Sequence, residues 1–160
     1  MGLDNGVCVE FHLDKLDGYH QLPHEVFRLA ESIHVLTSKY DPQTRDYVPT
    51  SPILNCEMVY WRKWWGVRNE VMLRLGVGGD PYRIDLTTDN IKDMIDVLRY
   101  FRNQERWDTE GVSIWYYDDN HIEEQIDIDI YVLESLINII DNNYGWIESG
   151  VMSVYFYDSY

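Results

Sequence analysis

The chain has 160 residues, a formal net charge of −15, 45% hydrophobic residues and 14% aromatic ones. That length fits one domain with a single core, and that apolar content offsets the entropy of ordering it, which excludes an acidic disordered tail. No apolar run approaches the roughly 20 residues of a membrane span, and MGLDNGVCVE at the start lacks the basic and apolar regions of a secretory signal, so a cytoplasmic protein without membrane contact is expected.

Val7, Val9, Phe11 and Leu13 alternate with Cys8, Glu10 and His12, the period of a half-buried strand. Pro23 sits where a first helical turn tolerates proline, and Val26, Leu29, Ala30 and Ile33 follow at helical spacing, so residues 23–37 are predicted helical. SKYDPQTRDYVPTSP (38–52), with its three prolines, reads as a loop. Asn55 is a candidate N-cap for a helix over 55–75. Tyr60, Trp64, Val67 and Val71 would share one face of it, and Trp61, Trp65, Arg68 and Met72 the next. Gly76, Gly78 and Gly79 end that helix.

Tyr82, Ile84 and Leu86 alternate with polar residues and predict a second strand. Thr88 then caps a helix striped by Ile91, Met94, Ile95, Leu98 and Phe101. GVSIWYYDD (111–119) is a third strand by its β-branched and aromatic content. Residues 120–129 predict a turn before a helix over 128–142, with Gly145 as its stop, and GVMSVYFYDSY supplies the last strand. The order β-α-α-β-α-β-α-β predicts a single α+β domain over 1–160, with about four mainly antiparallel strands packed against three to four helices.

Charge is unevenly distributed. Residues 107–160 contain twelve acidic groups and no Lys or Arg, which is −12 of the total −15. Such a field repels nucleic acid and anionic membranes and attracts basic partners, so direct nucleic-acid binding is not expected. Cys8 and Cys56 lie in no metal-binding or CxxC spacing and read as buried free thiols.

Motifs of common enzymes are missing: GVGGDP (76–81) lacks the dinucleotide spacing, and no P-loop, HExxH or GxSxG occurs. His20 and His24 are four apart, but Pro23 between them breaks a shared helix face. His121 within DDNHIEE could join carboxylates around a divalent ion, yet the run departs from the EF-hand pattern and reads more simply as a solvated acidic loop. No catalytic residue, metal ligand or cofactor is assigned, and a small metal- or ligand-dependent enzyme using His and carboxylate residues stays as the alternative reading.

The opening MGLDNGV, the central YWRKWWGVRNEV and the closing VYFYDSY resemble small proteins of bacteriophages and bacterial mobile elements, which open MGLDNG and carry a YWRKxWG[LV]RN segment. The resemblance touches the start, middle and end of the chain. It implies a short accessory protein, phage-encoded and acting in the host cytoplasm, and carries no site residues with it. Together with the charge map it leads to an expected function: an acidic protein-binding module inhibiting a host nucleic-acid-handling defence protein as a nucleic-acid mimic. The expected partner is a basic host protein such as a nuclease. Asp118, Asp119, Glu123, Glu124, Asp127 and Asp129, interleaved with Tyr116 and Tyr117, are the candidate partner-binding residues. Trp61, Trp65 and Arg68 form a second candidate surface, since Trp and Arg dominate binding hot spots. Burial of that segment as the aromatic core is the favoured reading of it. A homodimer through an edge strand is a third expectation.

Overall fold

The computed structural model describes residues 4–16, 22–41, 43–62, 64–76, 83–103 and 119–159, with backbone alone for 119–121. The architecture is α+β, built on a five-stranded sheet in the order β2-β3-β1-β5-β4 with every neighbouring pair antiparallel. The strands are β1 (Asp4–His12), β2 (Ser32–Asp41), β3 (Asp46–Arg62), β4 (Arg83–Asp85) and β5 (Met152–Ser159). The helices are α1 (His24–Leu29), α2 (Trp65–Arg74), α3 (Thr88–Arg102), α4 (Asp119–Asn142) and α5 (Tyr144–Glu148).

β1 lies at the centre, hydrogen-bonded to β3 on one side and β5 on the other. Antiparallel partners point to one face, so Asn5, Val7, Val9 and Phe11 share theirs with Trp61, Val59 and Cys56 of β3 and with Asp158, Phe156 and Val154 of β5. Helices cover this face. Phe27 of α1 meets Phe11 at 6.0 Å between ring centroids, Arg68 of α2 pairs with Asp158, and Asp129 of α4 accepts from the Trp61 indole. The α3 stripe is as expected, with Ile91, Met94, Ile95, Leu98 and Phe101 all buried. Its cap is Thr87, one residue earlier than expected, in a capping box with Asn90.

The largest correction concerns residues 30–62. The expected helix over 23–37 ends at Leu29, because Ala30 turns extended (φ −66°, ψ 135°) and the chain continues as β2. The expected loop over 38–52 is the β2–β3 hairpin. Its turn is held by the Arg45 N–H donating to the Asp41 carbonyl and the Gln43 N–H donating to the Asp41 carboxylate. β1 pairs with β3 only from Ile53 onward, so residues 46–52 keep one open edge, where a strand tolerates Pro49 and Pro52. The hairpin overshoots the sheet as a two-stranded arm with Tyr40 set edge-on to Tyr47 at 5.5 Å.

The expected helix over 55–75 begins only at Trp65, and Asn55 to Arg62 are strand. The run of Met58, Val59, Tyr60 and Trp61 prefers the pleated surface, and cross-strand partners on β1 decide the matter. Gly76 ends α2 in the left-handed region (φ 71°), as expected. The expected turn over 120–129 is helix: α4 runs 24 residues from Asp119, with Ile122, Ile126, Leu133, Leu136 and Ile140 facing the core. Gly145 lies inside α5, and Gly150 (φ 76°) makes the turn into β5. The strand expected over 111–119 lies outside the described residues except for Asp119, which starts α4. No described helix is long and apolar enough to cross a membrane.

Candidate functional site

Two surfaces gather functional groups: the face of the sheet that no described helix covers, and the outer side of α4. On that sheet face, β1 contributes Asp4, Gly6, Cys8, Glu10 and His12. β5 places Tyr157 opposite Gly6 and Tyr155 opposite Cys8, while β3 places Tyr60 opposite Gly6 and Glu57 opposite Cys8. Tyr60 and Glu57 are three residues apart and would lie on opposite faces of a regular strand. A bulge between Val7 and Cys8 in the β1–β3 register inserts Met58 and brings both to one side. Gly6 is required here, since a Cβ would overlap the Val59 carbonyl oxygen and crowd the Tyr157 ring at 3.2 Å.

These side chains line a groove of about 360 Å³ formed by Asp4, Cys8, Asn55, Glu57, Tyr60, Tyr155 and Tyr157, with Leu36 and Ser159 at its margins. The phenols are tied to acceptors or donors around it. The Tyr60 hydroxyl donates to Asp4 Oδ1 at 2.9 Å, the Tyr157 hydroxyl donates to Glu57 Oε2 at 2.7 Å, and the Asn55 amide donates to the Tyr155 oxygen. At one end, Glu10 is buried with three basic side chains around it: Arg83 Nη1 at 2.7 Å, His12 Nε2 at 3.3 Å and Lys39 Nζ at 3.5 Å from Oε1. The Arg83 guanidinium also lies 4.1 Å from the Tyr155 ring centroid. At the other end, Glu57 has no cation partner among the described residues.

The thiol and the phenols on this face are held toward their neutral forms. Burial, and then the charge of Glu57, push the Cys8 thiol up to about 12. Burial and the hydrogen bond to Asp4 hold Tyr60 at about 12. Burial, followed by Glu57, raises Tyr157 above the ordinary phenol range, and burial does the same for Tyr155. A thiol and phenols held neutral are poor nucleophiles, and in that form they offer hydrogen bonds and ring faces.

The α4 side carries part of the surface expected from the sequence. Glu123, Glu124 and Asp127 are exposed on it, and Glu124, Ile128 and Tyr131 follow at the spacing of one helical face. Ile128 and Tyr131 are 54% and 52% exposed, large values for such side chains. Tyr116, Tyr117 and Asp118 lie outside the described residues, as does the Asp119 side chain.

Asp129 leaves the expected surface altogether. It is 1% exposed, accepts from Trp61 Nε1 at 3.0 Å and from Gln125 Nε2 at 2.9 Å, and is pushed up to about 7 by burial. Cations are also closer to the acidic third in space than in sequence. Arg102 reaches Asp127 at 2.7 Å, Arg99 reaches Glu134 at 2.9 Å, and Arg68 closes on Asp158 at 2.6 Å.

The tryptophan-rich segment does not form one exposed face. Trp61 is the penultimate residue of β3 and Trp64 precedes α2, both buried, with rings near parallel (11°) at 6.4 Å. Trp65 is 40% exposed, whereas Arg68 turns inward to Asp158. The core reading therefore holds for Trp61 and Trp64, through a strand end and a helix start instead of a helix. Both cysteines are free and buried. No group of His, Cys, Asp and Glu suited to a metal occurs among the described residues.

The sheet groove was not singled out by the sequence, although two signals for it were present. The off-core positions of the β1 alternation are Cys8, Glu10 and His12, and those of VYFYDS are Tyr155 and Tyr157. Comparison of the chain with family models, curated proteins and solved structures returns no match.

Proposed function

We propose that the protein is a non-catalytic binding module that takes a basic protein as partner through its acidic surface. In the setting implied by the resemblance to phage proteins, that partner is a host nucleic-acid-handling defence protein, and the carboxylates compete for its cationic groove. The observation that carries the reading is the outer side of α4. There Glu123 and Glu124 stand exposed without an ion-pair partner among the described residues, beside exposed Ile128 and Tyr131. Carboxylates next to an exposed aromatic and an aliphatic side chain combine charge steering with an apolar anchor, the two terms that protein interfaces use. A net charge of −15 adds long-range attraction for cationic partners.

The test is complex formation with purified basic nucleases, measured by gel-filtration shift and calorimetry at several salt concentrations. Binding should weaken with salt and fall on charge reversal in Glu123→Lys/Glu124→Lys, a variant that leaves the fold unchanged because both side chains are solvent-exposed. A complex that forms equally well with that variant would sink the α4 mechanism.

A further inference from the structure

The sheet face opposite α4, uncovered among the described residues, adds a site of a different kind. We propose that the groove between β3, β1 and β5 is an arginine-recognition site, in which a guanidinium presented by a segment of the basic partner pairs with Glu57 against the rings of Tyr60 and Tyr157. The proposal rests on the partner being basic and does not depend on α4.

The face already holds one guanidinium of its own. Arg83 pairs with Glu10 at 2.7 Å and lies over the Tyr155 ring at 4.1 Å. The neighbouring half repeats those components, carboxylates and tyrosine rings; Asp4 there has Arg62 at 3.9 Å, whereas Glu57 has no cation partner among the described residues. Glu57 accepts only the Tyr157 hydroxyl on its side chain among the described residues, through Oε2, so Oε1 remains for an incoming donor. Its charge is felt on the surrounding groups, raising Cys8, Tyr157 and Tyr60. A part-buried carboxylate among aromatic rings attracts a cation more strongly than one in open solvent.

Geometry selects arginine over lysine. A planar guanidinium both stacks on a phenol ring and pairs in-plane with a carboxylate, as Arg83 does, whereas an ammonium is a compact and strongly hydrated charge. A groove of about 360 Å³ accommodates one such side chain. It runs across three strands toward Leu36 of β2, the edge strand, which leaves room for the chain that carries the arginine.

Titration of the ¹⁵N-labelled protein with the capped tripeptide acetyl-Gly-Arg-Gly-amide tests the site. Saturable shifts are expected at the amides of Gly6, Cys8, Glu57 and Tyr157, with none from the uncharged citrulline peptide. Glu57→Gln keeps an acceptor for the Tyr157 hydroxyl and should weaken binding by roughly tenfold or more, as loss of a charged hydrogen bond does. Tyr60→Leu, which removes a ring and leaves Glu57 in place, is the second variant and should also weaken it. Equal binding by wild type and both variants overturns the proposal. Equal affinity for the lysine peptide overturns the guanidinium assignment, and equal affinity for free arginine overturns the polypeptide source. Shifts confined to residues 122–131 and abolished in Glu123→Lys/Glu124→Lys overturn the groove and leave the α4 reading standing.

Discussion

Replacing Asp129 with asparagine should make the protein increasingly more stable than wild type as pH rises from about 4 to about 7, and keep that advantage above neutrality. Burial is the main cause that lifts this carboxyl from 3.8 to about 7, with the negative charge of Glu31 adding to it, against hydrogen bonds from Trp61 and Gln125 that pull it down. An aspartate in the unfolded chain titrates near its ordinary value. Between about pH 4 and pH 7 the folded state thus holds a proton that the unfolded state has released. The stabilising contribution of the protonated form is complete below about pH 4 and is lost as pH rises through about 7. At about 1.4 kcal/mol per pH unit of difference, ionising Asp129 in place costs on the order of 4 kcal/mol of folding free energy. Asparagine keeps an acceptor for the Trp61 indole, and the Gln125 amide can turn to accept from it. Urea denaturation of both proteins from pH 4 to 8.5 should show the advantage of Asp129→Asn growing with pH and levelling off above about pH 8. A difference between the two that stays constant across this range, or shrinks, would refute the reasoning.

Two further outcomes follow from buried polar groups. Arg68→Ala strands the fully buried Asp158 carboxylate, so it should cost about 3–5 kcal/mol in chemical denaturation, with most of it recovered in Arg68→Ala/Asp158→Asn; a cost no larger than that of Arg28→Ala, an exposed arginine, would contradict this. Burial raises Cys8 to about 12 and Cys56 to about 11, so neither thiol should react with iodoacetamide at pH 8 in the folded protein. Mass spectrometry should find both alkylated only in denaturant.

The parts of the fold that were legible in the sequence are those where one face is buried and the other wet. β1, β5 and α3 show their periods because their apolar residues meet a core. β2 fails that rule: Ile33, Val35 and Tyr40 are exposed, so its apolar residues carry no inward signal, and Ile33 fell into step with the helix before it. The tryptophan segment misled for a related reason. Trp61 and Trp64 are both buried, one by a strand and one at a helix start, and a spacing of three suits a helix as well as this break.

Charge reads poorly along a chain because partners meet in space. Asp129 counts as one more acid in IDIDIY, yet it is the one that faces Trp61, 68 positions away. Arg68 and Asp158 are 90 positions apart. The groove was hidden by the single bulge at Met58, which no composition or period announces, and without which Glu57 and Tyr60 would not share a face.

The pairing of β1 with β5 bears on how the chain is made. Val7 and Phe156 face each other across the β1–β5 pair at the centre of the sheet, separated by nearly the whole described sequence. Contacts this distant slow folding and hold it back until the later partner has been synthesised. Until residues 152–159 emerge from the ribosome, β1 has β3 on one edge and nothing on the other, and β4 has no strand to join. A nascent chain at that stage lacks Tyr155, Tyr157 and Asp158 together, and with them one wall of the groove and the buried partner of Arg68. The groove proposed to take an arginine is therefore complete only once β5 has joined β1.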